Sequence, residues 1–164
     1  MRSELPKCKS STDAVAYWRV KIQRKPGFNS RVESFAALVL DSERRFAGAH
    51  VVQSKLSGDA QKFAVKLFQS PWLRGVPEFI LVQHRPGVAL VASDADKERV
   101  RAVILAGRAR KTELLDCLIV SKPDDVPFGG GFSFHHLKGF SAANPFAKSS
   151  KSAHKSSAKA EASQ

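Results

Sequence analysis

Only two cysteines occur in 164 residues, Cys8 and Cys117, far apart and with no Cys-x-x-Cys or Cys/His metal spacing. That scarcity excludes a disulfide-stapled scaffold and a cysteine-built zinc site, and gives no sign of an oxidising compartment. Long apolar runs are also missing. No stretch approaches the eighteen or so residues a membrane span needs, and Met1–Pro6 lacks the apolar core of a signal peptide. The expectation is a cytoplasmic protein with no membrane partner. Acid is in short supply as well: 15 Asp and Glu face 27 Lys and Arg, a net charge of +12 and a pI near 10.1. Such a charge bears on partners, favouring nucleic acid or an acidic protein, and says little about fold.

What is present is an ordinary globular composition, 43% hydrophobic and 26% charged, over a length that holds one domain. The composition shifts after Phe140. Residues 141–164 are mostly Ala, Ser and Lys, with one acid, Glu161, and one Phe, Phe146. Such a segment buries too little apolar surface to offset its ordering entropy, so a disordered basic tail is expected. Residues 1–10 read as an N-terminal extension and 11–140 as the domain.

Within that domain the periodicities alternate. Ser11–Gln23 places Val15, Trp18 and Ile22 on one helical face, and Lys25-Pro26-Gly27 ends it. Ser34–Asp41 is short and apolar, a buried strand. Asp41–Arg44 turns the chain, and Arg45–Gln53 returns as the second arm of a hairpin. Asp59 caps a helix to about Gln69, with Phe63, Leu67 and Phe68 inward. Glu78–Gln83 is a strand. Ser93 or Asp94 caps a longer helix to about Ala109, with Val100, Val103, Ile104 and Ala106 on its apolar side. Leu114–Ser121 is another buried strand, and Phe132–His135 a final edge strand after the Gly129–Gly131 hinge. This order predicts a three-layer α/β domain with helices on both sides of a sheet.

The loop after the third strand carries the most information. It reads Gln83-His84-Arg85-Pro86-Gly87, followed by Ser93 and Asp96. Together with the hairpin FAALVLDSERRFAG before it and Leu114-Leu115-Asp116 after it, this resembles the RadC-like branch of the JAB/MPN (JAMM) metalloprotease family. Cys117 stands where that family usually has a histidine. The resemblance implies a three-layer, cytidine-deaminase-like α/β fold with a mixed sheet flanked by helices. It also implies a zinc site at a strand end: His-x-His-Pro-Ser-Gly, a Ser eight residues past the second His, an Asp three further on, and a Glu on an earlier strand to activate water. The helix-hairpin-helix segment that full-length members carry upstream is not expected in this chain.

Aligned on Pro86, Ser93 and Asp96, the two zinc histidines fall on Gln83 and Arg85. Of the three ligands only Asp96 matches, with Ser93 beside it. The general-base Glu falls near Ala49 or His50, where no carboxylate stands. Catalytic zinc takes three protein ligands and keeps one position for water, so these degenerate positions predict no catalytic residue, no metal and no other cofactor. The expected role is a binding or interaction module, and the family association points toward DNA repair or mobile elements. A rearranged set, His50, His84 and Asp96, is the alternative; it would restore a zinc-dependent peptidase. His84, however, takes the intervening position, whose side chain points away from the metal in an extended stretch. Arg85 can instead pair with Asp96, the guanidinium standing in for the metal charge, or swing out to solvent. Ser93 has a simpler use as a helix N-cap.

Other chemistry finds little support. Cys117 reads as a small buried hydrophobe. Ser133 has no nucleophile-elbow pattern, and Gly129-Gly130-Gly131 lacks the strand-to-helix context of a phosphate loop. His135 and His136 are adjacent and, on a strand, would face opposite sides. Basic residues cluster in Arg19–Lys25, Arg99–Lys111 and the tail (Lys148, Lys151, Lys155, Lys159). Trp18, Trp72 and most Phe fall on apolar faces, so base stacking is not expected and non-specific phosphate contact is.

Overall fold

In the computed structural model, residues 4–53, 58–87, 90–121 and 131–134 are described. The tail at 141–164, the His135–His136 pair, Gly129, Gly130 and residues 54–57 lie outside them.

Ser10 opens the first helix: its Oγ accepts from the Asp13 amide at 3.2 Å, and the Asp13 carboxylate accepts from the Lys9 amide at 2.9 Å. The first of these bonds uses an amide the first turn would leave orphaned, and the second ties down the residue before the cap. Helix α1 (Ser11–Trp18) then passes into a π-helical stretch, Arg19–Gln23, where the expectation was α-helix throughout. The wider turn still buries Ile22 on the face of Val15 and Trp18. Gly27, at φ +88°, takes the left-handed conformation that releases the chain.

Strands β1 (Ser34–Leu40) and β2 (Phe46–Gln53) form the hairpin. Asp41 organises the turn by accepting from the Glu43 and Arg45 amides at 2.9 and 2.8 Å. The segment before α1 adds to it, since Phe46 donates to the Pro6 carbonyl and Cys8 to that of Arg44. Helix α2 (Ala60–Gln69) is capped by Asp59 and followed by one 3₁₀ turn, Pro71–Leu73. Strand β3 (Glu78–His84), helix α3 (Asp94–Ala109) and strand β4 (Glu113–Val120) make a parallel crossover, and β5 (Gly131–Ser133) closes the far side. The last strand is shorter than expected. Phe134 follows it and is buried.

The sheet runs β2-β1-β3-β4-β5, with only β3 and β4 parallel. Alternation along β3 divides the core. Ile80 and Val82 pack with Trp18, Ile22 and Leu38 beneath α1. Phe79 and Leu81 pack with Phe63, Leu67, Val100 and Val103 beneath α2 and α3. The result is the three-layer mixed α/β arrangement. Each fully buried Leu or Phe stabilises it by about 1.5–3 kcal/mol.

Candidate functional site

The same alternation decides what the end of β3 can offer. Gln83 follows the parity of Phe79 and Leu81, and its Nε2 donates to Glu33 Oε1 at 2.5 Å. His84 follows Ile80 and Val82 to the opposite face. There it is fully buried, its ring stacked 5.7 Å from Trp18 and edge-on to Phe28 at 5.1 Å, with Nδ1 3.2 Å from the Val32 carbonyl. Arg85 continues the β3 line, its amide donating to Val120 O at 2.9 Å.

The Arg85 guanidinium turns toward the start of α3. Nη2 donates to Asp96 Oδ2 at 2.7 Å, Nη1 to the Val91 carbonyl at 3.2 Å, and Nε lies 3.8 Å from Glu33 Oε1. Asp96 occupies the third position of α3 and closes a capping box. Its Oδ2 accepts from the Ser93 amide at 2.8 Å, and its own amide donates to Ser93 Oγ at 3.1 Å. Oδ1 is engaged too, accepting from Arg99 Nη1 at 2.9 Å. Arg99 is itself buried, its guanidinium 5.5 and 5.4 Å from the rings of Phe35 and Phe63. Asp96, 3% exposed, would be raised by burial alone. The hydrogen bonds from Arg85, Ser93 and Arg99 outweigh that effect and bring its pKa to about 2.

A zinc ion does not fit these residues. Gln83 is a weak carbonyl donor, Arg85 is a permanent cation, and both oxygens of Asp96 already accept from cations. Among the described residues, no three His, Cys, Asp or Glu side chains converge where a metal could be held. The set His50, His84 and Asp96 is not brought together. His84 lies across the sheet from Asp96, and His50 pairs with Ala37 on β1, three residues along from the row of His84. Strand spacings put His50 more than about 10 Å from the end of β3.

Ser93 is the N-cap, in preference to Asp94. Cys117 and Cys8 are buried, and burial pushes both thiols up, that of Cys8 to about 12. Ser133 donates to Asp116, which also accepts from Ser11 Oγ at 3.0 Å. That bond network ties β5 and α1 to β4.

Two sequence expectations need correction. Arg99, grouped with a basic cluster, is withdrawn from the surface by its i,i+3 bond to Asp96; that spacing was the available signal. Glu33, which no motif marked, completes a quartet with Arg85, Asp96 and Arg99 in which two carboxylates balance two cations. Trp72 does not lie on an apolar face. It sits on the 3₁₀ turn, 51% exposed, and its indole stacks on His50 at 3.9 Å with 2° between the planes. Burial and then the neighbouring Lys25 ammonium hold the His50 imidazole below its ordinary pKa.

The conserved-family model of the RadC-like JAB domain matches residues 8–136. The chain belongs to the RadC-like JAB domain family. Among curated proteins it is 28% identical over 103 residues to a UPF0758 protein of Finegoldia magna, covering 63% of this chain and 46% of that one. It is 27% identical over 92 residues to a UPF0758 protein of Thermosynechococcus vestitus, covering 56% and 37%. The chain thus spans less than half the length of either relative. No helix of this RadC-like domain, among the described residues, is long and apolar enough to cross a membrane.

Proposed function

We propose that this RadC-like JAB domain is catalytically degenerate and serves as a binding or interaction module. One observation carries the reading: the carboxylate at the only matched zinc-ligand position, Asp96, is held on Oδ2 by Arg85 and on Oδ1 by Arg99. A guanidinium about 4 Å from a metal would oppose it by roughly 4 kcal/mol per unit of metal charge at an effective dielectric of 20. Ala49 and His50, where the family's general base falls, supply no carboxylate to activate water. The +12 charge makes nucleic acid the partner class that the chemistry favours, with links to DNA repair or mobile elements resting on family association alone.

The deciding experiment is metal analysis of protein purified without chelator, alongside a peptide-hydrolysis assay. The expected outcome is substoichiometric zinc and no cleavage. Stoichiometric zinc, or cleavage abolished by chelator, would overturn the proposal in favour of a metallopeptidase with a rearranged ligand set.

A further inference from the structure

Apart from the Asp96 cluster, one surface combines an exposed aromatic stack, a groove and a single sign of charge. It lies along β2, an edge strand of the sheet. A groove of about 370 Å³ runs there between the 3₁₀ turn and the loop after the π stretch, lined by Lys25, Phe28, Ala49, His50, Val51 and Trp72 among others. That volume falls within the range of ligand clefts. Trp72 leaves half its surface in solvent although its ring is already ordered flat against His50, and Val51 beside it is 48% exposed.

The charge around this groove is one-sided. None of the residues that line it is acidic, and Lys25 among them carries a positive charge. Arg24 adjoins Lys25 in the chain and Arg74 lies two residues past Trp72, and all three cations are exposed. An acidic or zwitterionic surface would be expected to interleave both signs.

We propose that this groove binds single-stranded nucleic acid, with a base stacked on the ordered Trp72 indole and the flanking phosphates held by Lys25, Arg24 and Arg74. A pre-ordered ring gives a base a π-face to rest on at little further entropic cost, and the cations supply the sequence-independent backbone attraction. A duplex keeps its bases stacked on one another and cannot present one to the indole, so a single strand is required. The inference rests on the binding-module reading and names its partner.

The test uses the full chain and a labelled oligodeoxythymidylate of about eight nucleotides, within the span of single-strand sites. A strand of equal length with abasic sites serves as control. The thymidylate strand should quench Trp72 emission and bind about tenfold or more tighter than the abasic strand. Trp72→Ala should remove that difference while leaving abasic binding unchanged, and Trp72→Phe should retain most of it. Trp18, on the inner face of α1, is fully buried, and the Trp72→Phe variant, which keeps it as the sole tryptophan, supplies its background emission. Equal binding of both strands, unaltered in Trp72→Ala, would overturn the stacking site and leave a charge-driven module standing. No binding of either strand at low salt would overturn the nucleic-acid partner as well, whereas zinc content decides the degenerate-site reading independently. Quenching by an extended peptide and not by the oligonucleotide would also overturn the proposal, in favour of a protein strand.

Discussion

At the scale of single residues the interest centres on Asp96, one carboxylate shared by two guanidinium groups. Asp96→Ala leaves Arg99 buried between two phenylalanine rings without its anion, and Arg85 with Glu33 alone at 3.8 Å. Removing one side of a buried pair typically costs about 3–5 kcal/mol. Denaturant titration should show a loss of that size, and Arg85→Met combined with Asp96→Ala should recover only part of it because Arg99 stays uncompensated. A coupling energy near zero in this double-mutant cycle would mean that Asp96 acts through the helix dipole alone. The same residue sets an acid limit. Its folded pKa, about 2, lies below the ordinary value near 4, so its contribution is complete above pH 4 and is lost as pH falls toward 2. The shift is equivalent to roughly 2 kcal/mol. Unfolding titrations of the wild type and Asp96→Asn should therefore converge near pH 2 and diverge above pH 4. The two thiols give a third expectation. Cys8 and Cys117 are buried and shifted upward, so neither should react with a thiol reagent at pH 8 until denaturant is added, as mass spectrometry would show.

Among secondary elements, the crossover from β3 through α3 to β4 is the part with least tolerance. Gly107 lies so close to the Thr112 carbonyl that an added Cβ would collide with backbone. Gly107→Ala, which in an open helix would stabilise by up to about 1 kcal/mol, should here destabilise by roughly 1–3 kcal/mol. Thermal melts decide the sign. The elements themselves were largely legible in the sequence: each cap named by Ser and Asp, each strand by its apolar run. The π stretch was not, because over five residues a period of 4.4 and one of 3.6 bury the same Ile22. Trp72 was misread for a related reason. A single 3₁₀ turn has no periodicity to assign a face, so an aromatic beside Leu73 looks like core. At the candidate site the aligned positions Arg85, Ser93 and Asp96 were found by spacing, and the Arg85–Asp96 pair follows from their opposite charges. Glu33 and Arg99 were not marked, since a partner reached across the sheet or one helical turn away has no motif of its own.

Across the whole molecule, charge rather than shape separates the surfaces. Residues 141–164 contribute four lysines and one glutamate, so their deletion lowers the net charge to about +9. If that segment adds phosphate contacts, each one lost should flatten the plot of log affinity against log salt by roughly 0.7 for single-stranded DNA. Fluorescence anisotropy at several salt concentrations checks this, and an unchanged slope would assign the contacts to the body of the domain. The melting temperature should hold, because the two apolar clusters on either side of the sheet are built from residues between Cys8 and Phe134.

The shared carboxylate also bears on which sequences lie within one mutational step of this one. Consider a stepwise walk from the present cluster to a three-ligand zinc centre. Arg85→His removes the cation that satisfies Asp96 Oδ2 before a metal can replace it. Gln83→His gives up the bond to Glu33 while Arg85 still repels the ion. A carboxylate near position 49 or 50 gains nothing until both histidines are in place. Every first step is therefore downhill in stability and neutral at best in activity, and the valley is deepened by Arg99, which would continue to compete for Asp96 Oδ1. The cluster acts as a ratchet: random single substitutions under selection for a stable fold should not regain metal-dependent hydrolysis, whereas simultaneous replacement of four positions, 83, 85, 99 and 49 or 50, is the smallest library in which it could be sought.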